Sequence, residues 1–345
     1  MPIMGKLFST VFPPLDENEC PYKCVYTDDR NRFADEAAII IFHIRNFNAS
    51  DLPQFNPDRL NVFFLLESPV HSGSAYQNHQ NYFNITMTYR RDSDIFLPNE
   101  NAFTRIIPNK TTMDDIWREE DIRKIIGKKT KIALQVVSNC YTLSAREEYI
   151  TELAKDLNIT RYGDCTSQKL CPGQPCLYEK LEDHFFYIAF ENSICRHYVT
   201  EKFWNLKRII VPVVLSRMPF QGLDIPEDSY IAAEDFETPK ALANYLLYLR
   251  NNLEEYMSNL YFLSSKPGTS HGSKGTAKDK GIIPFVNCFI IIANTNEHLP
   301  VRKEESYKVC FNYAPLVIHS RLPDRLLFGI AQRCSCISKH FGDFY

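Results

Sequence analysis

The sequence predicts an α/β protein of two domains, each built on a parallel β-sheet. Three observations carry this. The length, 345 residues, suits two domains. Short continuous apolar runs bounded by polar turns recur along the chain, the pattern of strands covered on both faces. From residue 131 onward those runs alternate with helical periodicity, the rhythm of β-α-β units.

Taken in order, Ala37–Ile44 (A-A-I-I-I-F-H-I) is the first predicted strand. Arg59–Glu67 (R-L-N-V-F-F-L-L-E) is the second and ends on Glu67-Ser68-Pro69. Phe83–Tyr89 is the third, followed by Arg90-Arg91-Asp92-Ser93-Asp94. This domain is expected to span 1–128, closing near Gly127-Lys128-Lys129. The second, 129–262, opens with a strand at Lys131–Val137. A helix is expected over Ser144–Leu157, with Tyr149, Ile150, Leu153, Ala154 and Leu157 on its apolar face. Ser144 with Glu147 suggests a capping box. A short strand, Ile159–Tyr162, leads to a loop, Gly163–Glu179, that carries Cys165, Cys171 and Cys176.

Strand, helix and strand then follow across 184–215, and Ser229–Ala232 is a further strand. Thr238-Pro239 opens a helix with core face Leu242, Leu246 and Leu249, because Thr caps and Pro suits the first turn. Beyond it, Ser264–Gly281 has a flexible-linker composition and holds four of the chain's 12 Gly. The region 263–345 is read as a linker and an atypical, poorly ordered tail. It carries 11 Lys+Arg against 6 Asp+Glu, opposite in sign to the acidic body.

Composition narrows the function classes. Net charge is −3, so nothing points to a nucleic-acid partner. No G-x-G-x-x-G or G-x-x-x-x-G-K-[ST] is present, which weakens dehydrogenase and P-loop readings. Eleven Cys and four N-x-[ST] sequons, at Asn48, Asn84, Asn109 and Asn158, favour a secretory-pathway lumen with disulfides. No run reaches the ~20 apolar residues that span a bilayer. Met1–Phe12 lacks the signal-peptide pattern. A lumenal protein therefore implies an anchor that this sequence does not show.

Three constellations could carry chemistry. Asn139–Glu147 places a strand end, a short loop and a helix start together, an arrangement that binds anions, with Arg146 adding donors suited to phosphate. The alternative is an Arg paired with nearby Glu residues. The block from Phe185 to Leu215 ends one strand in Glu191-Asn192-Ser193 and carries Tyr198, Glu201 and Lys202 before the next. Lys202 could neutralise a diphosphate, and Glu191 or Glu201 could accept hydroxyl protons. The side chains of Glu201 and Lys202, adjacent on a helix, are expected to diverge; a solvated helix end is the alternative. Glu67 ends an apolar strand at the edge where open α/β sheets hold ligands, and could act as a base. Asp92-Ser93-Asp94 has the D-x-D form of a cation chelate, but a turn explains it as well.

These residues fall within a broader resemblance. Cys24-x-x-T-x-D-R, Ile41-Phe42-His43, Glu67-Ser68-Pro69, F-N-I-T-M-T-Y-R-R-D-S-D-I from Phe83, Arg146-E-x-Y-I, Tyr162-G-x-C and F-E-N-S…T-E-K-F-W…V-P-V-V-L-S-R lie in family order. The chain resembles the α1,3-fucosyltransferases from about Cys20 to Phe262, and its L-S-R resembles nematode members. The resemblance implies a GT-B fold, two Rossmann-like domains whose parallel sheets face a cleft. It implies inverting transfer from GDP-fucose to an N-acetylglucosamine-containing glycan. Arg146, Glu191, Asn192, Tyr198, Glu201 and Lys202 would hold the donor, and Glu67 would be the base. No metal or cofactor would be required, although Mn²⁺ or Mg²⁺ stimulates some members, and Asp92-Ser93-Asp94 is read as structural. A type II protein of the Golgi membrane, facing the lumen, is implied. The tail departs from the family pattern, so a catalytically inactive glycan- or nucleotide-binding relative is the alternative.

Overall fold

The structure, a computed structural model, describes residues 37–97, 117–170, 174–206, 208–223 and 225–260, with the backbone of 307–311 and 314–318. The chain divides into two compact units.

The first unit is a four-stranded parallel sheet: β1 (Ile39–His43), β2 (Leu60–Leu65), β3 (Ile85–Thr88) and β4 (Ile95–Phe96), adjacent in that order. One face packs Ile39, Val62, Phe64, Ile85 and Met87. The other packs Phe63 and Phe83 against Phe42, Phe47, Tyr76 and Tyr82. These rings meet edge-on, as for Phe63 and Tyr76 at 5.3 Å between centroids, the geometry that ring quadrupoles favour. The crossovers depart from the expected Rossmann-like form. Among the described residues they contain 3-10 turns, such as Ala49–Asp51 and Pro69–His71, and no α-helix. Pro53, Pro57, Pro69 and a dense run of Asn explain this, because they favour turns over helix interiors.

Asp92-Ser93-Asp94 is a structural turn. Asp94 accepts from the Thr86 amide at 2.8 Å and from its hydroxyl at 2.7 Å, tying the loop back to β3. Arg90 Nε donates to Asp92 at 2.7 Å, and Ser93 bonds Thr88.

The second unit holds five parallel strands: β5 (Lys131–Val136), β6 (Ile159–Tyr162), β7 (His184–Ile188), β8 (Val211–Val214) and β9 (Ile231–Ala232). Their spatial order is β6-β5-β7-β8-β9. Its helices are α1 (Glu119–Ile126), α2 (Arg146–Leu153), α3 (Gln174–Asp183), α4 (Glu201–Trp204), α5 (Pro239–Asn251) and α6 (Leu253–Ser258). Alternate residues of β7 face opposite cores. Phe186, Ile188 and Phe190 meet Ile150, Leu153, Leu246 and Tyr256, whereas Tyr187 and Ala189 meet Leu181, Phe203 and Trp204. Helices thus cover both faces of the sheet, as the β-α-β rhythm predicts. Thr238 caps α5 by accepting from the Ala241 amide at 3.1 Å, and Leu242, Leu246 and Leu249 are buried.

The structure corrects several local expectations. α1 packs on the second core through Ile126, and Arg123 grips Glu254 of α6 through two bonds of 2.7 and 2.9 Å, so the passage between the units precedes α1. The Gly163–Glu179 loop gives way to α3 from Gln174. In the region 263–345, Tyr307–Phe311 (β10) pairs antiparallel with Ala314–Ile318 (β11). The capping box does not form. Ala145 is the N-cap of α2, in left-handed conformation at φ 54°, and no side chain caps it. Ser144 turns instead to the Glu191 carbonyl at 2.7 Å. Left-handed Ala costs roughly 1–2 kcal/mol. Ala145→Gly should therefore raise stability by about 1 kcal/mol, read as a higher urea midpoint with unchanged slope.

Of the sequons, Asn48 and Asn158 are exposed, and Asn109 lies outside the described residues. Asn84 is poorly placed for a glycan: its amide donates to the Arg59 carbonyl at 3.1 Å and accepts from the Asn61 amide at 2.7 Å. Among the described residues no helix is long and apolar enough to cross a membrane.

Candidate active site

Strand order in the second unit reverses between β5 and β7, with β6 on one side and β8 on the other. In open α/β sheets ligands sit outside the strand carboxyl ends at such a reversal. Two loops leave the sheet there, 137–145 after β5 and 189–200 after β7.

Arg146 joins them. Its guanidinium, 2% exposed, donates from Nη1 to the Phe190 carbonyl at 2.8 Å and from Nη2 to the Asn139 carbonyl at 2.7 Å. Nε donates to Glu147 at 2.9 Å. Arg146 is thus a loop clamp, with three of its five N–H donors engaged inside the protein. The start of α2 is likewise less open to anions than its amides suggest, because Glu147 and Glu148 occupy its first turn. Arg146→Ala would leave these acceptors unmatched in a buried space. It should cost at least 2 kcal/mol, read from denaturant unfolding.

The second wall is built on Glu191. Buried at the end of the β7 segment, its carboxylate accepts from the Thr200 amide at 2.7 Å, the Thr200 hydroxyl at 2.8 Å and Lys202 Nζ at 3.2 Å. These bonds fix the start of α4 and aim Lys202. Lys202 also donates to Thr200 Oγ1 at 2.9 Å and to Glu201 at 3.2 Å. The expected divergence of Glu201 and Lys202 is therefore not observed: α4 is only four residues long, and the flexible Lys stem folds back. Burial pushes the Glu191 carboxyl up. Burial alone would lower the Lys202 ammonium, but Glu191 and Glu201 outweigh it and its pKa rises. Burial likewise opposes the fall in Glu201, which Lys202 imposes.

Asn192 follows Glu191, and its side-chain Oδ1 is buried with no hydrogen-bond partner among the described residues. Such an orphan at a strand end is costly unless a ligand meets it. Tyr198 is 2% exposed, packed into the wall rather than presented to the crevice.

Two features of this site escaped the sequence reading. Gly163 has φ +114°, and a Cβ there would lie 2.0 Å from the Val137 carbonyl oxygen. Only Gly lets the loop after β6 press on the end of β5, which brings Cys165 to Cys140 in a disulfide. Cys176 and Cys195 are disulfide-bonded as well. The other feature is exposure: beside Cys140, Tyr141 is 94% and Leu143 55% exposed.

In the first unit, Glu67 follows β2 at its carboxyl end, as expected, and pairs with Arg45 at 2.8 Å. It is partly exposed rather than enclosed by apolar groups. His43 ends the adjacent strand, with Nδ1 buried and without a hydrogen-bond partner among the described residues. Its pKa is lowered by burial and by Arg45, against an upward pull from Glu67. Among the described residues no group of three or more His, Cys, Asp or Glu could hold a metal ion.

The fold and the site define an α/β protein of the ligand-binding class, with its polar groups gathered at the carboxyl ends of parallel strands. Residues 7–100 match the N-terminal fucosyltransferase domain, and residues 126–269 match the C-terminal domain of glycosyltransferase family 10 (fucosyltransferase). The chain belongs to that family. It is 34% identical over 249 residues to the alpha-(1,3)-fucosyltransferase fut-5 of Caenorhabditis elegans, covering 68% of this chain and 62% of the relative. It is 32% identical over 268 residues to alpha-(1,3)-fucosyltransferase C of Drosophila melanogaster, covering 72% and 62%. The chain thus spans only part of these relatives' length. A crystal structure of an alpha1,3-fucosyltransferase aligns over 70% of this chain and 73% of its own, with TM-score 0.47 and 17% identity.

Proposed function

We propose that this chain transfers L-fucose from GDP-fucose, with inversion and in α1,3 linkage, to a GlcNAc-containing glycan of a glycoprotein or glycolipid. The observation that carries this reading is the fucosyltransferase match over both halves of the chain. The polar cluster at the strand reversal supports it with suitable chemistry. Lys202 would exchange Glu201 for the diphosphate, and the Asn192 carboxamide would meet a fucose hydroxyl. Glu191 and Tyr198 would hold the wall behind them. Arg146 would shape both loops and offer its remaining N–H donors to phosphate.

In the reaction the acceptor hydroxyl gives its proton to the Glu67 carboxylate. Its oxygen bonds to the anomeric carbon as the bond from that carbon to the β-phosphate oxygen breaks. GDP departs with the electron pair, its charge met by Lys202. The step needs no cofactor. Asp92 and Asp94 are already engaged in the β3 turn, which supports a structural role there and a divalent cation that at most stimulates. By the same reading the protein works in the Golgi lumen, held by a membrane anchor.

The test is GDP release from GDP-fucose by the full chain, with and without a GlcNAc-terminated glycan. Acceptor-dependent release with fucosylated product is expected. GDP binding without turnover would replace this reading with that of a binding relative.

A further inference from the structure

We propose that Tyr141 is the platform on which the purine base of the nucleotide-sugar donor stacks. This rests on the donor reading of the crevice given above. A Tyr typically buries 150–250 Å² of surface, yet this one is 94% exposed. It is nevertheless held in place. On one side the Cys140–Cys165 disulfide ties its neighbour to the loop after β6. On the other, Thr142 Oγ1 donates to Glu147 at 2.7 Å and bonds Ser144 Oγ at 3.0 Å. The Tyr141 amide itself lies 3.4 Å from Asn139 Oδ1. Pinned on both flanks, an aromatic ring loses little further entropy when a flat partner covers it.

The partner follows from position. The loop is continuous with the crevice wall, because Arg146 joins the Asn139 carbonyl to the Phe190 carbonyl beside Glu191 and Asn192. Charged and polar groups for a diphosphate and a sugar lie on the β7 side of the reversal. On the β5 side the exposed loop residues are Ser138, Asn139, Tyr141 and Leu143, none of them charged, and Tyr141 alone among them has a flat ring. A nucleoside diphosphate sugar has one flat, aromatic end, and that end suits the Tyr141 side.

The experiment measures GDP binding by calorimetry to the full chain, to Tyr141→Ala and to Tyr141→Phe, with inorganic pyrophosphate as a ligand lacking the base. Tyr141→Ala should weaken GDP about tenfold, within the range that base–aromatic stacking loses on alanine substitution. Tyr141→Phe should stay within about twofold of wild type. Pyrophosphate binding should be equal in all three proteins, which a general loosening of the site would not allow. Wild-type GDP affinity in Tyr141→Ala would overturn the platform while leaving the donor site standing. A rise confined to the KM of the acceptor glycan would also overturn it, by assigning the ring to the acceptor. No GDP binding in the wild type would remove the donor reading and the platform together.

Discussion

Glu67→Gln should reduce the turnover number by 10²–10⁴-fold, the range a positioned general base contributes. The substitution keeps the side chain's size and its ability to accept a hydrogen bond from Arg45. It removes only the negative charge that, in the proposed reaction, takes the acceptor proton. Arg45 and Glu67 are both solvent-accessible. Such a pair contributes roughly 0–1 kcal/mol, so the melting temperature should barely move. GDP affinity should also be unchanged, because in the proposed reaction the base acts on the acceptor hydroxyl and not on the nucleotide. Steady-state kinetics alongside GDP calorimetry separates these effects. Wild-type turnover in Glu67→Gln would remove Glu67 as the base. A joint loss of turnover and GDP affinity would point to misfolding instead.

Lys202→Met should destabilise the second unit by about 3 kcal/mol and weaken GDP at least tenfold. The two losses have different origins. Lys202 is the cation that balances Glu191, whose side chain is only 8% exposed. Removing one partner of a buried pair leaves the other charge uncompensated, at about 3–5 kcal/mol. The lower end applies here, because Glu191 retains both Thr200 donors. Burial already holds the Glu191 carboxyl above its ordinary range. A carboxyl with raised folded pKa contributes stability below its unfolded value, and that contribution is lost as pH rises through the folded value. The deficit of Lys202→Met should therefore be smaller near pH 5 than at pH 8. Adding Glu191→Gln removes the stranded charge, so the double variant should recover most of the stability. It should not recover GDP affinity. A double variant as unstable as Lys202→Met alone would show that packing, not charge balance, sets the loss.

The predicted strands were legible because each is a short apolar run with polar bounds, and all eight are found within a residue or two of where the pattern puts them. The helix opened by Thr238 was legible for a local reason too, since the cap and the apolar face lie within one segment. What stayed hidden was pairing across segments. The sequence shows that Arg146 brings donors to a loop, but not that carbonyls 44 and 7 residues away take them. Ser144 and Glu147 have capping-box spacing, yet the left-handed Ala145 sends Ser144 to Glu191. Helix α1 was missed because its apolar face is three Ile residues in a run of charges, held by Glu254 far along the chain. Gly163 and Tyr141 carry no periodic signal at all. One is explained by a close backbone approach, the other by an exposed position that no sequence pattern marks.

The strand order of the second unit also governs how it must be made. Its first strand in the chain, β5, lies inside the sheet and leaves the ribosome before either neighbour it needs. β6 and β7 flank it later, and α5, which packs against α2, comes more than a hundred residues behind. The seal arrives later still, when Tyr256 donates to the Phe185 carbonyl at 2.6 Å from the middle of the core. At roughly 5–20 residues per second, the apolar strands wait on the order of ten seconds for their cover. A chain stopped short of Leu260 should therefore be a client of chaperones rather than a smaller enzyme.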